Sequence, residues 1–216
     1  MITSYKDLTI NKYQEIRRIL EEDGGELAIQ SKILACLTGM EVDDVLNLSL
    51  TRYNELVQKS AFLMEKPKLD GRIPNKLNVN GRECYITKDV KKLTAAQYID
   101  YQTLIAMKDQ EKYLANILAC FIVPKGCKYG DGYENDEIVQ WIGENLSIVD
   151  GLNICFFFRK KYLDSIKLTL TSLELQMRIL RMRMKNPTAK EKMKELNQKL
   201  KEYRKLLQSV GDGLVW

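Results

Sequence analysis

The chain has 216 residues, 45% of them hydrophobic and 29% charged, with a net charge of +5 and no histidine. That length suffices for one domain, or a domain with an appended element, and needs no metal or disulfide to hold a core. Without histidine, the usual acid–base group at neutral pH and the commonest metal ligand, most hydrolytic and metal-dependent mechanisms lose their ordinary residue.

Helical signals fill the first third. Thr9 can cap a helix over about residues 10 to 22, with Ile10, Tyr13, Ile16, Ile19 and Leu20 on one face and Gly24-Gly25 at its end. A second helix carries Leu27, Ile29, Ile33, Leu34 and Leu37 before Gly39. A short helix over residues 42 to 46 follows, then a longer one capped by Ser49 that presents Leu50, Tyr53, Leu56, Val57, Ser60 and Leu63. Pro67, Gly71 and Pro74 then make a loop, and Asn80-Gly81 separates two alternating segments. Asn-Gly favours a type I′ turn, so a β-hairpin is predicted near residues 76–87, one face bearing Leu77, Val79, Cys84 and Ile86. A lone hairpin is barely stable and must pack on helices or extend another sheet.

Thr94 and Gln97 have the spacing of a capping box, opening a helix with Tyr98, Ile99, Tyr101, Gln102, Leu104 and Ile105. Asp109 is placed to cap the next helix, bearing Tyr113, Leu114, Ile117, Leu118, Phe121 and Ile122 and ended by Pro124. The loop after it resembles a calcium loop only loosely: counted from Asp131, the third residue is Tyr133 and the sixth, where glycine is required, is Asp136. Asp136 and Glu137 are read instead as acids in a first helical turn.

Ser147 and Asp150 start the next helix. Its apolar residues Ile166, Leu170, Leu173, Met177, Leu180 and Met184 alternate steps of four and three, a heptad seam, while Leu168, Leu175, Ile179 and Met182 form a second stripe. Asn186-Pro187 breaks the helix, and Thr188 with Glu191 starts another whose Met193, Leu196, Leu200, Tyr203, Leu207 and Val210 form a matching seam ending near Gly211. The predicted fold is mainly α: a helical globular part over residues 1–160 with one β-hairpin, then a basic antiparallel, coiled-coil-like helical hairpin over residues 161–216. Each arm of about 20 residues would be roughly 30 Å long.

Charge divides the same way. Beyond residue 150 the chain holds 15 Lys and Arg against 6 Asp and Glu, an excess of nine, whereas the preceding residues hold 19 against 23. Five cysteines, an odd number without C-x-x-C spacing, include Cys36, Cys120 and Cys155 among apolar helical neighbours, where thiols act as small reduced hydrophobes. The apolar run from Leu114 to Val123 is broken by Asn116 and falls short of the roughly 20 residues of a membrane span. The segment MITSYKDLTINKY lacks a basic start and apolar core, so no secretory signal is expected.

No nucleophile-elbow, phosphate-loop or dinucleotide-binding motif occurs. The acid groups Glu21/Glu22/Asp23, Asp43/Asp44 and Asp136/Glu137 sit at helix ends, and Tyr98, Tyr101 and Tyr113 stand at helical spacing among apolar residues, so they read as scaffold. No catalytic, cofactor or metal residue is assigned, and no enzyme is expected. The hairpin is the functional candidate. For protein interaction it offers Leu168, Leu173, Leu175, Met177, Leu180, Met182, Met184, Met193, Leu200, Tyr203 and Leu207, whose four flexible thioethers suit adaptable surfaces. For nucleic acid it offers Arg178, Arg181, Arg183, Lys185, Lys190 and Lys194, though without interleaved aromatics for base stacking.

The segments KLTAAQYIDYQTLI (92–105), LANILACFIVPKGCKYGDGY (114–133) and NICFFF (153–158) resemble a family encoded in tailed phages, especially those of gut Bacteroidales, including crAss-like phages. In outline the family is similar to tail assembly chaperones and small virion morphogenesis proteins. The resemblance covers roughly residues 1–160 and does not include the C-terminal hairpin. It implies a non-enzymatic protein that contacts other phage virion or tail proteins, or further copies of itself, in the host cytoplasm during assembly or within the virion. The alternative is a packaged cargo or DNA-binding and delivery protein that uses the basic hairpin. The family's motifs carry no catalytic residue to transfer.

Overall fold

Four helices follow one another in the first sixty residues because each brings its own start and stop. In the computed structural model, which describes residues 1–107, 109–182 and 187–212, α1 (Ile10–Leu20) is capped by Thr9, whose hydroxyl accepts the Lys12 amide at 3.4 Å. It ends two residues before the predicted boundary, on Glu21. Helix α2 (Glu26–Thr38) stops at Gly39, whose φ of +75° is the left-handed turn that glycine adopts without strain. The short α3 (Val42–Leu46) leads to α4 (Leu50–Ser60), capped by the Ser49 hydroxyl, and Leu63 falls in a separate 3-10 turn. Leu34, Ala35, Val45 and Leu56 close a small core of their own between α2, α3 and α4.

Strands β1 (Lys76–Val79) and β2 (Arg82–Ile86) form the predicted hairpin, with Val79 opposite Arg82 and positive φ at both Asn80 and Gly81. The sheet has a third strand where the sequence spacing predicts a helix. After α5 (Ala95–Ile105) and α6 (Leu114–Ala119) the chain turns, and β3 (Ile122–Pro124) pairs antiparallel with β2, Ile122 opposite Ile86 and Pro124 opposite Cys84. Two forces overturn the helical expectation. Pro124 pushes Val123 out of the helical region, and β2 has an open edge whose peptide groups bond to this segment, with Thr87 N donating to Phe121 O at 2.9 Å and Lys125 N to Glu83 O at 2.8 Å. Asp109 does not cap either: it sits at φ +58° before a 3-10 turn (Gln110–Tyr113) and its side chain makes no cap bond.

Helices α7 (Asn135–Asn145) and α8 (Ile148–Met182) complete the body. The main core joins α1, α6, α7 and the first half of α8 through Leu8, Ile10, Leu118, Phe121, Ile142 and Phe158, all essentially inaccessible. The starts of α1 and α8 are tied by backbone, Ile10 N to Leu146 O at 3.1 Å and Ile148 N to Leu8 O at 2.8 Å. Buried Asn153 holds the loop before the sheet, accepting from Gly71 N and donating to Asp70, both at 3.0 Å.

Helix α8 runs unbroken through residue 160 for 35 residues, about 52 Å at 1.5 Å per residue, so body and arm share one helix. Phe158, Tyr162 and Ile166 belong to the body core, and α9 (Pro187–Asp212) returns along α8 to bring Tyr203 and Leu207 against that core.

Two glycines give a paired prediction. A Cβ on Gly143 would meet Asn11 Oδ1 at 2.1 Å, but the Asn11 side chain is exposed and can swing away. A Cβ on Gly151 would meet Ile10 Cδ1 at 2.8 Å, and Ile10 is fully buried with no room to yield. Gly→Ala in a helix gains about 1 kcal/mol and overpacking costs about 1–3 kcal/mol. Gly143→Ala is therefore expected to melt at or above the wild-type temperature and Gly151→Ala below it, an order that thermal denaturation of the two variants checks.

Candidate interaction surface

The arm is built from two matched stripes. Leu173 and Met177 of α8 and Leu196 and Leu200 of α9 are buried against one another, with Leu170, Leu180, Met193 and Tyr203 half-buried around them. Arg204 of α9 reaches Glu174 of α8 at 3.1 Å across the seam. The seam is thus closed inside one chain, which corrects part of the expected partner surface: Leu173, Met177, Leu180, Met193, Leu200, Tyr203 and Leu207 hold the hairpin and body together instead of facing outward. Periodicity alone could not tell these two uses apart.

The second stripe stays open. Leu168 is 72% exposed, Leu175 58% and Ile179 40%. These residues are seven and four apart, so at about 100° per residue they share one face roughly opposite the seam, running about 17 Å along the helix. Met184, Arg183 and Lys185, with the Asn186 break, lie outside the described residues, as do the side chains of Met182, Thr188, Lys190 and Val210. Arg178, Arg181 and Lys194 are exposed.

A further apolar group was not expected on the surface. Leu27, Leu46 and Leu50 are 60%, 52% and 76% exposed, although Leu27 and Leu50 stand at positions read as inward-facing. Leu50 is the first residue of α4 and Leu27 the second of α2, where a side chain overhangs the helix end. Leu20, also read as inward, is 53% exposed at the last turn of α1.

Residues 91–107 and 109–133 carry contacts that tie α5, α6 and β3 together. The capping box is present: Gln97 N donates to Thr94 Oγ1 at 3.2 Å and Thr94 N to Gln97 Oε1 at 3.0 Å. The same buried glutamine donates through Nε2 to Cys120 O at 2.9 Å, joining α5 to the end of α6. Tyr129 donates to Asp100 at 2.9 Å, anchoring the loop after β3 to α5. Tyr101 packs edge-on against Phe121 and Tyr162, Tyr98 lies tilted beside Tyr162, and Tyr113 is exposed in its 3-10 turn.

The acid groups sit where the helix dipole favours them, Asp43 and Asp44 in the first turn of α3 and Asp136 and Glu137 in that of α7, while Glu22 pairs with Lys32. Among the described residues no group of three or more His, Cys, Asp or Glu side chains could hold a metal ion. A hollow of about 240 Å³ beside the hairpin is lined by Val79, Arg82, Cys84, Pro124, Tyr133 and Glu137. It holds no acid–base pair at bonding distance, and burial keeps the Cys84 thiol above its ordinary range. Among the described residues no helix is long and apolar enough to cross a membrane.

Burial also pushes the thiols of Cys120 and Cys155 up, to about 11 and about 12, and raises the Tyr101 phenol. These groups stay protonated and inert at neutral pH. Below pH 9, the ordinary thiol value, folded and unfolded chains both keep the proton, so the contribution of Cys155 is fully present; above it the unfolded chain ionises first and stability falls as pH rises toward 12. Tyr101 adds the same trend from its ordinary value of 10. Each group removes about 1.4 kcal/mol per pH unit in its window. Thermal melts from about pH 8 to 11 should therefore show a falling midpoint, shallower in Cys155→Ala; a profile that is flat in the wild type contradicts the assignment.

No protein-family model, curated protein or solved structure matches the chain.

Proposed function

We propose that this chain is a non-enzymatic protein of tailed-phage assembly or of the phage particle, acting through contacts with other virion or tail proteins. The observation that carries the reading is the arm: a helical hairpin whose seam is already closed, yet which keeps Leu168, Leu175 and Ile179 exposed on its outer face. A chain gains nothing for its own folding by leaving three large apolar side chains on one helix face, whereas a docking surface requires them. The three segments that resemble the tailed-phage family pack together in the body: Gln97 of the first donates to the Cys120 carbonyl of the second, and Phe121 of the second stacks on Phe158 of the third. The protein would act in the host cytoplasm during assembly, or stay in the virion. Mass spectrometry of purified virions beside the lysate tests this. Stoichiometric presence in particles makes the chain a structural or cargo component, recovery only in lysate complexes with tail proteins makes it an assembly chaperone, and absence from both overturns the reading.

One observation favours a second reading, nucleic-acid contact. Lys194, Lys201 and Lys205 are exposed on the outer side of α9 and form no ion pair among the described residues, whereas Lys199 is held by Glu195 at 2.9 Å. Their spacings of seven and four put them on one face. Binding through such a line would weaken steeply with salt, by a log–log slope of about −0.9 per phosphate contacted on duplex DNA, and a slope near zero rules it out.

A further inference from the structure

The chain carries a second surface that complements the arm. Residues 21–55 hold eight Asp and Glu against only Lys32 and Arg52, and both bases are already paired, Lys32 with Glu22 at 2.5 Å and Arg52 with Glu55 at 2.7 Å. Glu41, Asp43 and Asp44 are exposed and form no ion pair among the described residues. They flank Leu46 and Leu50, which stand either side of the α3–α4 corner. Leu27 joins the same helices: its carbonyl accepts from Ser31 Oγ, which meets Tyr53 OH of α4 at 3.4 Å. The body therefore presents exposed leucines in an acidic surround.

The arm presents the opposite. Lys160, Lys167 and Arg178 are exposed on the flank next to Leu168 and Leu175, about 80–100° round the helix. Of the two acids on that flank, Glu174 is engaged by Arg204 and Asp164, four residues before Leu168, is exposed, so against three bases the flank keeps a net positive charge. Apolar stripe and basic flank on one part of the chain match apolar corner and acidic flank on another. Within one molecule both sets of leucines remain exposed, so the arm does not cover its own corner.

We infer that the arm of one copy docks on the α2–α4 face of a second copy, with Leu168, Leu175 and Ile179 against Leu27, Leu46 and Leu50. This deepens the reading of the arm as a docking surface by naming one partner. The two patches differ, so the contact is heterologous: each copy keeps a free arm and a free face, and copies add head to tail into a ring or an open chain. Arm-to-arm pairing is disfavoured because it would bring together two segments that each carry nine excess positive charges. Opposite charge supplies register and encounter rate, and the leucines supply the desolvated centre.

Sedimentation velocity on the full chain tests this. The mass should rise above 25.1 kDa with concentration. The association constant should fall at least tenfold between about 0.1 M and 1 M salt, as the screening length shrinks from about 10 to 3 Å. An arm variant, Leu168→Glu with Leu175→Glu, and a face variant, Leu46→Glu with Leu50→Glu, should each sediment alone as a 25.1 kDa monomer. All four sites are exposed, so both variants should melt like the wild type. Mixed in equal amounts the two should form a heterodimer and stop there, because the arm variant keeps a good face and the face variant a good arm. If either variant fails to fold, the charge reversals Arg178→Glu and Asp44→Lys replace it, with the same expected recombination. A wild-type chain that stays monomeric, variants that still assemble alone, a mixture that does not recombine, or mass gain only when DNA is added would each overturn the inference. A monomeric chain found in virions would defeat this contact and leave the proposed function standing; a self-assembling chain found in neither particles nor tail-protein complexes would do the reverse.

Discussion

Phe158→Ala should destabilise the protein by about 3–5 kcal/mol, the range for removing a buried aromatic side chain. Phe158 is 1% exposed and its ring lies 3.6 Å from that of Phe121 with 4° between planes. Phe121 in turn meets the edge of Tyr101 at 4.9 Å, and Tyr101 meets Tyr162 at 5.7 Å. The stack joins α5, the turn after α6 and α8, so the cavity left by alanine would open between three elements that cannot all close on it. Phe156 and Phe157, its neighbours in the triplet, are only partly buried, and Phe157 has Lys161 over its ring at 5.6 Å. Alanine there should cost less, because part of each ring already meets water. In a chain of this size a loss of about 4 kcal/mol lowers the melting midpoint by about 8–16 °C. Thermal denaturation of the three single variants checks the order, and a Phe158 variant no worse than the Phe156 variant would show that the stack is not a structural centre.

What was legible in the sequence was local chemistry. Thr9, Ser49, Thr94 and Gly39 mark helix ends through bonds or angles confined to a few residues, and Asn80-Gly81 fixes its own turn. The seam of α8 and α9 was legible because periodicity is also local. The errors occur where a distant segment decides. Ile122 and Val123 continue a helical pattern by spacing, yet the open edge of β2, some forty residues earlier, draws them into a strand. Leu27 and Leu50 fit the helical stripe and still face outward, since inward and outward are defined by what α2 and α4 pack against. The use of Leu173, Met177 and Leu200 follows the same rule: the pattern shows that they will be covered, and only the fold shows that the same chain covers them. This matters for the site, because the surface left for a partner is the residue of that accounting. It includes Leu168, Leu175 and Ile179 on the arm, with Leu27, Leu46 and Leu50 among the exposed apolar side chains of the body.

Gln97→Glu should be nearly as damaging as loss of the aromatic stack, although it changes only one atom. Gln97 is 3% exposed and uses both ends of its amide: Oε1 accepts from Thr94 N at 3.0 Å and Nε2 donates to Cys120 O at 2.9 Å. A carboxylate can still accept from Thr94 N, but its second oxygen would face the Cys120 carbonyl, acceptor against acceptor, in a site closed to water. The charge must then stay buried unpaired or take up a proton to restore the donor, and either route costs several kcal/mol or a raised carboxyl pKa. Gln97→Ala removes the clash but leaves the buried Cys120 carbonyl without this partner, about 1–3 kcal/mol, while the amide of exposed Thr94 can turn to water. Thr94→Ala loses only the cap, about 1 kcal/mol. The expected order of stability is wild type, Thr94→Ala, Gln97→Ala, Gln97→Glu, with the glutamate variant recovering toward acid pH as its carboxyl becomes a donor again. Chemical denaturation at about pH 5 and pH 8 reads both effects. If the glutamate variant showed no pH-dependent deficit relative to alanine, the link from Gln97 to the Cys120 carbonyl would not be what joins α5 to the end of α6.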